Sequence, residues 1–249
     1  MGISVEQHSL YTRLSNTHAI DKMEALVEEF IGKGGDPNVY LKHPNQFQSV
    51  LGICCHRAAT GAVHRLLAAG AKPHWPRKTI SLRSLTGGED PYEGLNVDAL
   101  GITLEMLGGY LVEHAESDRQ SKVPLTEKVG GFVEITRALL LAGADPTRDD
   151  PAHGRKPLDS LMVQLLEDTA SPPDEQCHAV LDEVLFLLAR HSSQLEMASK
   201  GAWKDSTLSA FDWADEYPAL VKSVRSLAQQ ELLRATTSGH QRPNRKTRL

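Results

Sequence analysis

The sequence predicts an all-α solenoid of about five helix pairs, with short fingers and long inserted loops. Three observations carry that expectation. One phrase occurs three times: Phe30-Ile31-Gly32-Lys33-Gly34-Gly35-Asp36-Pro37-Asn38, Leu66-Leu67-Ala68-Ala69-Gly70-Ala71-Lys72-Pro73-His74 and Leu139-Leu140-Leu141-Ala142-Gly143-Ala144-Asp145-Pro146-Thr147. Apolar residues ahead of it recur at helical spacing, as with Val63, Leu66 and Leu67 or Ile135, Ala138 and Leu139. Aromatics make up only 5% of the 249 residues, which suits stacked helices touching their neighbours better than a single large core.

In each copy a helix is expected to end where glycine takes the left-handed conformation, and the following proline keeps it from resuming. A two-helix unit cannot bury its apolar stripe alone, so neighbouring units must cover it. Small residues at Cys54, Cys55, Ala58 and Ala59 are expected to let an inner helix approach the next unit closely.

The span from Ser49 to Ala71 closely resembles an ankyrin repeat. It follows that family's T-P-L-H-x-A-A…V-x-x-L-L-x-x-G-A-D pattern without a gap. Ser49 stands for the threonine, Leu51 for the leucine, and Cys54-Cys55 for the two alanines; Val50 and Gly52 depart from the family's proline and histidine. Leu100-Gly101-Ile102 repeats Leu51-Gly52-Ile53, Lys156-Pro157-Leu158-Asp159 resembles the same corner, and Ala210-Phe211-Asp212-Trp213-Ala214 is a weaker fifth start. The resemblance implies one ankyrin-repeat domain over 1–234, with units near 8–38, 39–74, 75–147, 148–195 and 200–232. A basic tail at 235–249 is expected to be disordered.

Spacing locates the interruptions. Corner leucine and helix-ending glycine lie 19 residues apart in the second unit, Leu51 to Gly70, but 43 apart in the third, Leu100 to Gly143. About 24 extra residues are therefore expected within the third pair, mostly in 116–129. A lengthened finger around 75–95 accounts for the long approach from Gly70 to Leu100. The polar stretch 167–175 splits the fourth pair. A hidden extra repeat within 76–130 is the competing explanation.

Bulk properties narrow the function classes. The net charge of -5 gives no global sign of a nucleic-acid binder. Residues 240–249 carry four Lys/Arg and no acid, so a contact of the tail with RNA, anionic lipid or an acidic protein stays open beside a plain solvated end. The ending Thr247-Arg248-Leu249 also fits the loose pattern of a C-terminal PDZ ligand. Three cysteines make no disulfide framework, and no apolar run is long enough for a membrane span. The expectation is a cytoplasmic protein, with secretion into a host cell as an effector the alternative.

Candidate chemistry is sparse. Cys54-Cys55-His56 with His64 suggests metal, but both cysteines occupy packing positions, and core packing is the preferred reading. Cys177-His178 suggests a thiol and its base, yet adjacent helical side chains diverge. Gly108-Gly109 follows no strand, so it is not read as a phosphate loop. Asp149-Asp150 and Glu28-Glu29 read as solvated charges. No enzyme, no cofactor and no small-molecule substrate is expected.

In ankyrin-repeat proteins the fingers and inner helices generally bind partners, so the resemblance nominates that concave face. Its candidate residues are Tyr40, Lys42 and His43 in the first finger and Trp75, Arg77 and Lys78 in the second. Arg148, Asp149, His153 and Arg155 occupy the third. The expected activity is non-catalytic binding of another protein. An immunity or inhibitor protein that neutralises a toxin or enzyme, and a microbial effector docking onto host proteins, are more specific versions. An enzyme with a site in 76–130 is the remote alternative.

Overall fold

The computed structural model describes residues 9–10, 12–14, 16–43, 46–74, 98–116, 125–148, 156–158, 160–161, 165 and 174–191. The expected fifth unit, the basic tail and most of the long second finger lie outside these residues. Among them the fold is predominantly helical. Six helices have defined bounds: α1 Ile20–Gly32, α2 Val50–His56, α3 Thr60–Ala68, α4 Ala99–Glu116, α5 Leu125–Leu141 and α6 Glu175–His191. Further helical residues fall within 9–14, ahead of α1, and within 157–165, ahead of α6.

One departure from an all-helical chain is the first finger. Strand β1, Tyr40–His43, pairs antiparallel with β2, Gln46–Ser49, in a register that sets Tyr40 opposite Ser49 and His43 opposite Gln46. The two strands are separated in sequence by Pro44-Asn45, residue types that favour turns. The ribbon delivers Ser49 straight to the start of α2, where its hydroxyl accepts the Gly52 N–H at 2.8 Å. Ser49 thereby caps α2.

Helices pack in two rows. α2 lies against α4, while α1 packs on α3, α3 on α5 and α5 on α6; α2 also packs on α3, and α4 on α5. Apolar periodicity explains the contacts. Val63 and Leu66 of α3 and Ile135 and Leu139 of α5 are all fully buried, as are Cys54 and Cys55 on α2. Close approach needs small residues where the helices meet: a Cβ on Gly52 would stand 3.1 Å from Ile102 Cδ1, and one on Gly131 3.2 Å from the Ala58 methyl.

α2 touches α4 and α3 touches α5 directly, so among the described residues no further helix pair lies between them. The extra residues of the third unit, however, are not mainly a loop. α4 has 18 residues and α5 has 17, against 7 and 9 for α2 and α3, so most of the added length extends both helices. The polar appearance of 116–129 is misleading because Leu125 and Val129, four apart, are fully buried on the first turns of α5. Leu104, Leu107 and Leu111 of α4 are buried as well. At this longer contact the Tyr110 and Phe132 rings lie 5.4 Å apart at 42°.

The three copies of the glycine phrase fold alike. Gly34, Gly70 and Gly143 have φ of 73°, 91° and 91°. Their N–H groups donate to the carbonyls of Ile31, Leu67 and Leu140, and the next N–H in each copy reaches back to Phe30, Leu66 and Leu139 at 2.9 Å. This paired arrangement satisfies carbonyls that a helix end leaves open.

Candidate functional site

Two side-chain constellations join neighbouring units, one at the finger side and one at the opposite helix ends. The finger-side one is built by the last residue of the repeated phrase. Asn38 Nδ2 donates to the Gly70 carbonyl at 3.1 Å, and its Oδ1 accepts the Lys72 N–H at 2.8 Å. One unit further on, His74 takes the same place. Its Nε2 accepts the Asp145 N–H at 2.8 Å and lies 3.1 Å from the Gly143 carbonyl. Each turn thus sets a side chain against the same two backbone groups of the next. Asn38 has separate donor and acceptor atoms, whereas one nitrogen of His74 faces both partners.

The bond from the Asp145 N–H assigns the tautomer: Nε2 is unprotonated and Nδ1–H faces Asp98 Oδ2 at 3.4 Å. Asp98, at the entry to α4, is nearly buried, with its side chain 6% exposed, and Arg148 Nε lies 3.6 Å from the same oxygen. A buried carboxylate between a histidine and a guanidinium is compensated rather than stranded. Within the turns, Asp36 and Asp145 accept the backbone N–H two residues on, from Asn38 and Thr147, both at 2.9 Å. The Thr147 hydroxyl adds a bond to Asp145 at 2.7 Å and is the main reason its carboxyl stays below the usual range. Lys72 in the middle copy cannot make that turn.

Of the finger residues expected to meet a partner, Tyr40, Lys42 and His43 fall on β1. Arg148 sits at the base of the third finger, held largely inward on Asp98, its side chain 17% exposed. Trp75, Arg77, Lys78, Asp149, His153 and Arg155 lie outside the described residues. Arg148 faces a structural carboxylate.

The second constellation unites His114 from the last turn of α4 with Asp174 and Cys177 at the start of α6. Their ligand-type atoms all lie within 4.8 Å of one another. Asp174 caps α6, its Oδ1 accepting the Cys177 N–H at 2.9 Å, while Oδ2 lies 3.2 Å from His114 Nε2. The Cys177 N–H bond is the chief cause that lowers the Asp174 pKa. Burial pushes the Cys177 thiol up to about 11, with the Asp174 charge adding to it. A thiol held protonated is a poor nucleophile, so an uncomplexed Cys177 is not poised for covalent chemistry. The neighbour His178 is exposed, and the histidine that comes near is His114.

Sequence reasoning missed His114 and Asp174. The Asp-x-x-Cys spacing ahead of a helix was a readable cap signal, but nothing local linked it to a histidine 60 residues earlier. Cys54 and Cys55 are wholly buried, and burial drives the Cys55 thiol up to about 12 and that of Cys54 well above its usual value. They behave as small core residues. No helix among the described residues is long and apolar enough to cross a membrane. Comparisons with family models, with curated proteins and with solved structures find no match to this chain.

Proposed function

We propose that this chain is a non-catalytic, ankyrin-type binding module that captures a partner protein on its finger and inner-helix face. The reading is supported above all by the clasp. Asn38 bonds the Gly70 carbonyl and the Lys72 N–H, and His74 Nε2 accepts the equivalent Asp145 N–H, so successive fingers spring from a row of mutually fixed turns. A preorganised row loses little conformational freedom on binding, which is what a recognition surface requires. The β1–β2 ribbon stands on this row, carrying Tyr40, Lys42 and His43.

Repeat architectures place insertions on loops of one face, frequently the binding face. Residues 75–97, between the second and third units, are accordingly the specificity element of the proposal. The protonated Cys177 and the compensated Asp98 fit structural roles, in keeping with a module that performs no chemistry.

The test compares the full chain with a variant lacking residues 79–92 and with Tyr40→Ala/Lys42→Ala. Cross-linking and affinity capture from the source cell, followed by mass spectrometry, should recover a partner with the parent protein. Both variants should lose it while keeping their melting transition. Equal capture by all three proteins would remove the finger face from consideration.

A further inference from the structure

The cluster at the far helix ends has the composition and spacing of a transition-metal site. His114 supplies imidazole nitrogen, Asp174 a carboxylate oxygen and Cys177 a sulfur, with all three ligand atoms within 4.8 Å. From these we infer that the chain binds one zinc ion at His114, Asp174 and Cys177, pinning the end of α4 to the start of α6.

Geometry favours this ion. The 3.2 Å between His114 Nε2 and Asp174 Oδ2 is close to the ~3.3 Å that two ligands about 2.0 Å from a tetrahedral zinc would show. Mixed nitrogen, oxygen and sulfur donors suit zinc, whereas magnesium and calcium take oxygen ligands. Two anionic ligands, the carboxylate and the thiolate formed on binding, offset the positive end of α6 that would otherwise oppose a cation. The proton leaving Cys177 passes to solvent as the metal–sulfur bond forms.

The surroundings also fit. The Cys177 side chain is fully buried, while His114 and Asp174 are 10% and 26% exposed, so water can reach the fourth position from one side. Asp174 Oδ1 is already oriented by the Cys177 N–H, leaving Oδ2 on the histidine side as the ligand atom. A bonded carboxylate held this way is the usual support for a ligating one. Near α6 the Leu125 N–H is also held, by Gln176 Oε1 at 3.3 Å, which fixes the start of α5 beside the site. The zinc would tie the lengthened third unit to the fourth across the long stretch 117–173.

The decisive measurement uses the full chain, stripped of metal and kept reduced. Titration with zinc against a chromophoric chelator should show one equivalent bound, with a rise in melting temperature. Cobalt(II) in its place should give the near-ultraviolet band of a cobalt–thiolate bond and the visible spectrum of tetrahedral coordination. Cys177→Ser should abolish the thiolate band, and His114→Gln should abolish the melting shift. Absence of the thiolate band in the parent protein overturns the inference whatever the variants do. So does zinc binding that survives both substitutions, because other histidines would then be the ligands.

Discussion

Ala58 is the one described non-glycine residue with a positive φ, at 53°. It ends α2 as the glycines end the longer helices, with its N–H on the Cys55 carbonyl and the Ala59 N–H on that of Cys54. An L-residue in this region costs roughly 1–2 kcal/mol. Ala58→Gly removes that cost but adds unfolded-state freedom, so a net gain of about 0.5–1 kcal/mol is expected in urea denaturation. The opposing effect is lost packing of the Ala58 methyl, which borders Gly131 on α5. A lower midpoint for Ala58→Gly would mean that contact outweighs the strain. Gly143→Ala is the clean converse, since an added Cβ meets nothing within 4 Å at φ 91°. It should cost about 1 kcal/mol from backbone conformation alone. The glycine turns were legible because glycine followed by proline announces them. Ala58 was not, because alanine carries no left-handed signal and Gly131 lies far along the chain.

At the level of elements, the phrase that ends one helix also holds the next unit. The donor and acceptor of Asn38 satisfy Gly70 and Lys72 across the unit boundary. Asn38→Ala should lower stability by about 1 kcal/mol, within the usual range for exposed hydrogen bonds. Asn38→Asp keeps the acceptor for the Lys72 N–H but loses the donor to Gly70, and should fall between. Urea midpoints order the three proteins, and an alanine variant equal to the parent would show that the clasp adds nothing to stacking. Asn38 and His74 stood in the repeated phrase, but their partners lie 32 to 71 residues away. Sequence pattern therefore exposed the residues and hid their task. The same limit explains α4 and α5: the insertion was legible as a count, while its helical form depended on Leu125 and Val129 finding α4.

Among the described residues, exposed polar contacts run from helix to helix: the ion pairs of Arg65 with Glu28 at 2.6 Å and Arg137 with Glu183 at 2.9 Å, and His64 beside Glu134 at 3.5 Å. Solvent screening makes such pairs weak, so stability rests mainly on buried apolar contacts and its pH dependence on partly buried groups. His56 ends α2, and its pKa is lowered from 6.5 first by burial, then by the charges of Arg57 and His18. Its folded pKa lies below the unfolded value, so the unfolded chain binds more protons in the interval between. Stability therefore rises with pH through that window and falls as the solution is acidified below 6.5. Asp145 acts lower down: its carboxyl is depressed below 3.8, so its contribution is full above that value and lost as pH falls further. Urea denaturation in EDTA, stepped from about pH 7.5 to about pH 5.5, should give decreasing stability. His56→Gln should flatten that slope, while Asp145→Asn should leave it intact and reduce only the loss below about pH 4. EDTA keeps metal at His114, Asp174 and Cys177 from adding its own pH dependence. An undiminished slope in His56→Gln would place the acid sensitivity on another residue and show that burial of this helix end does not govern the response.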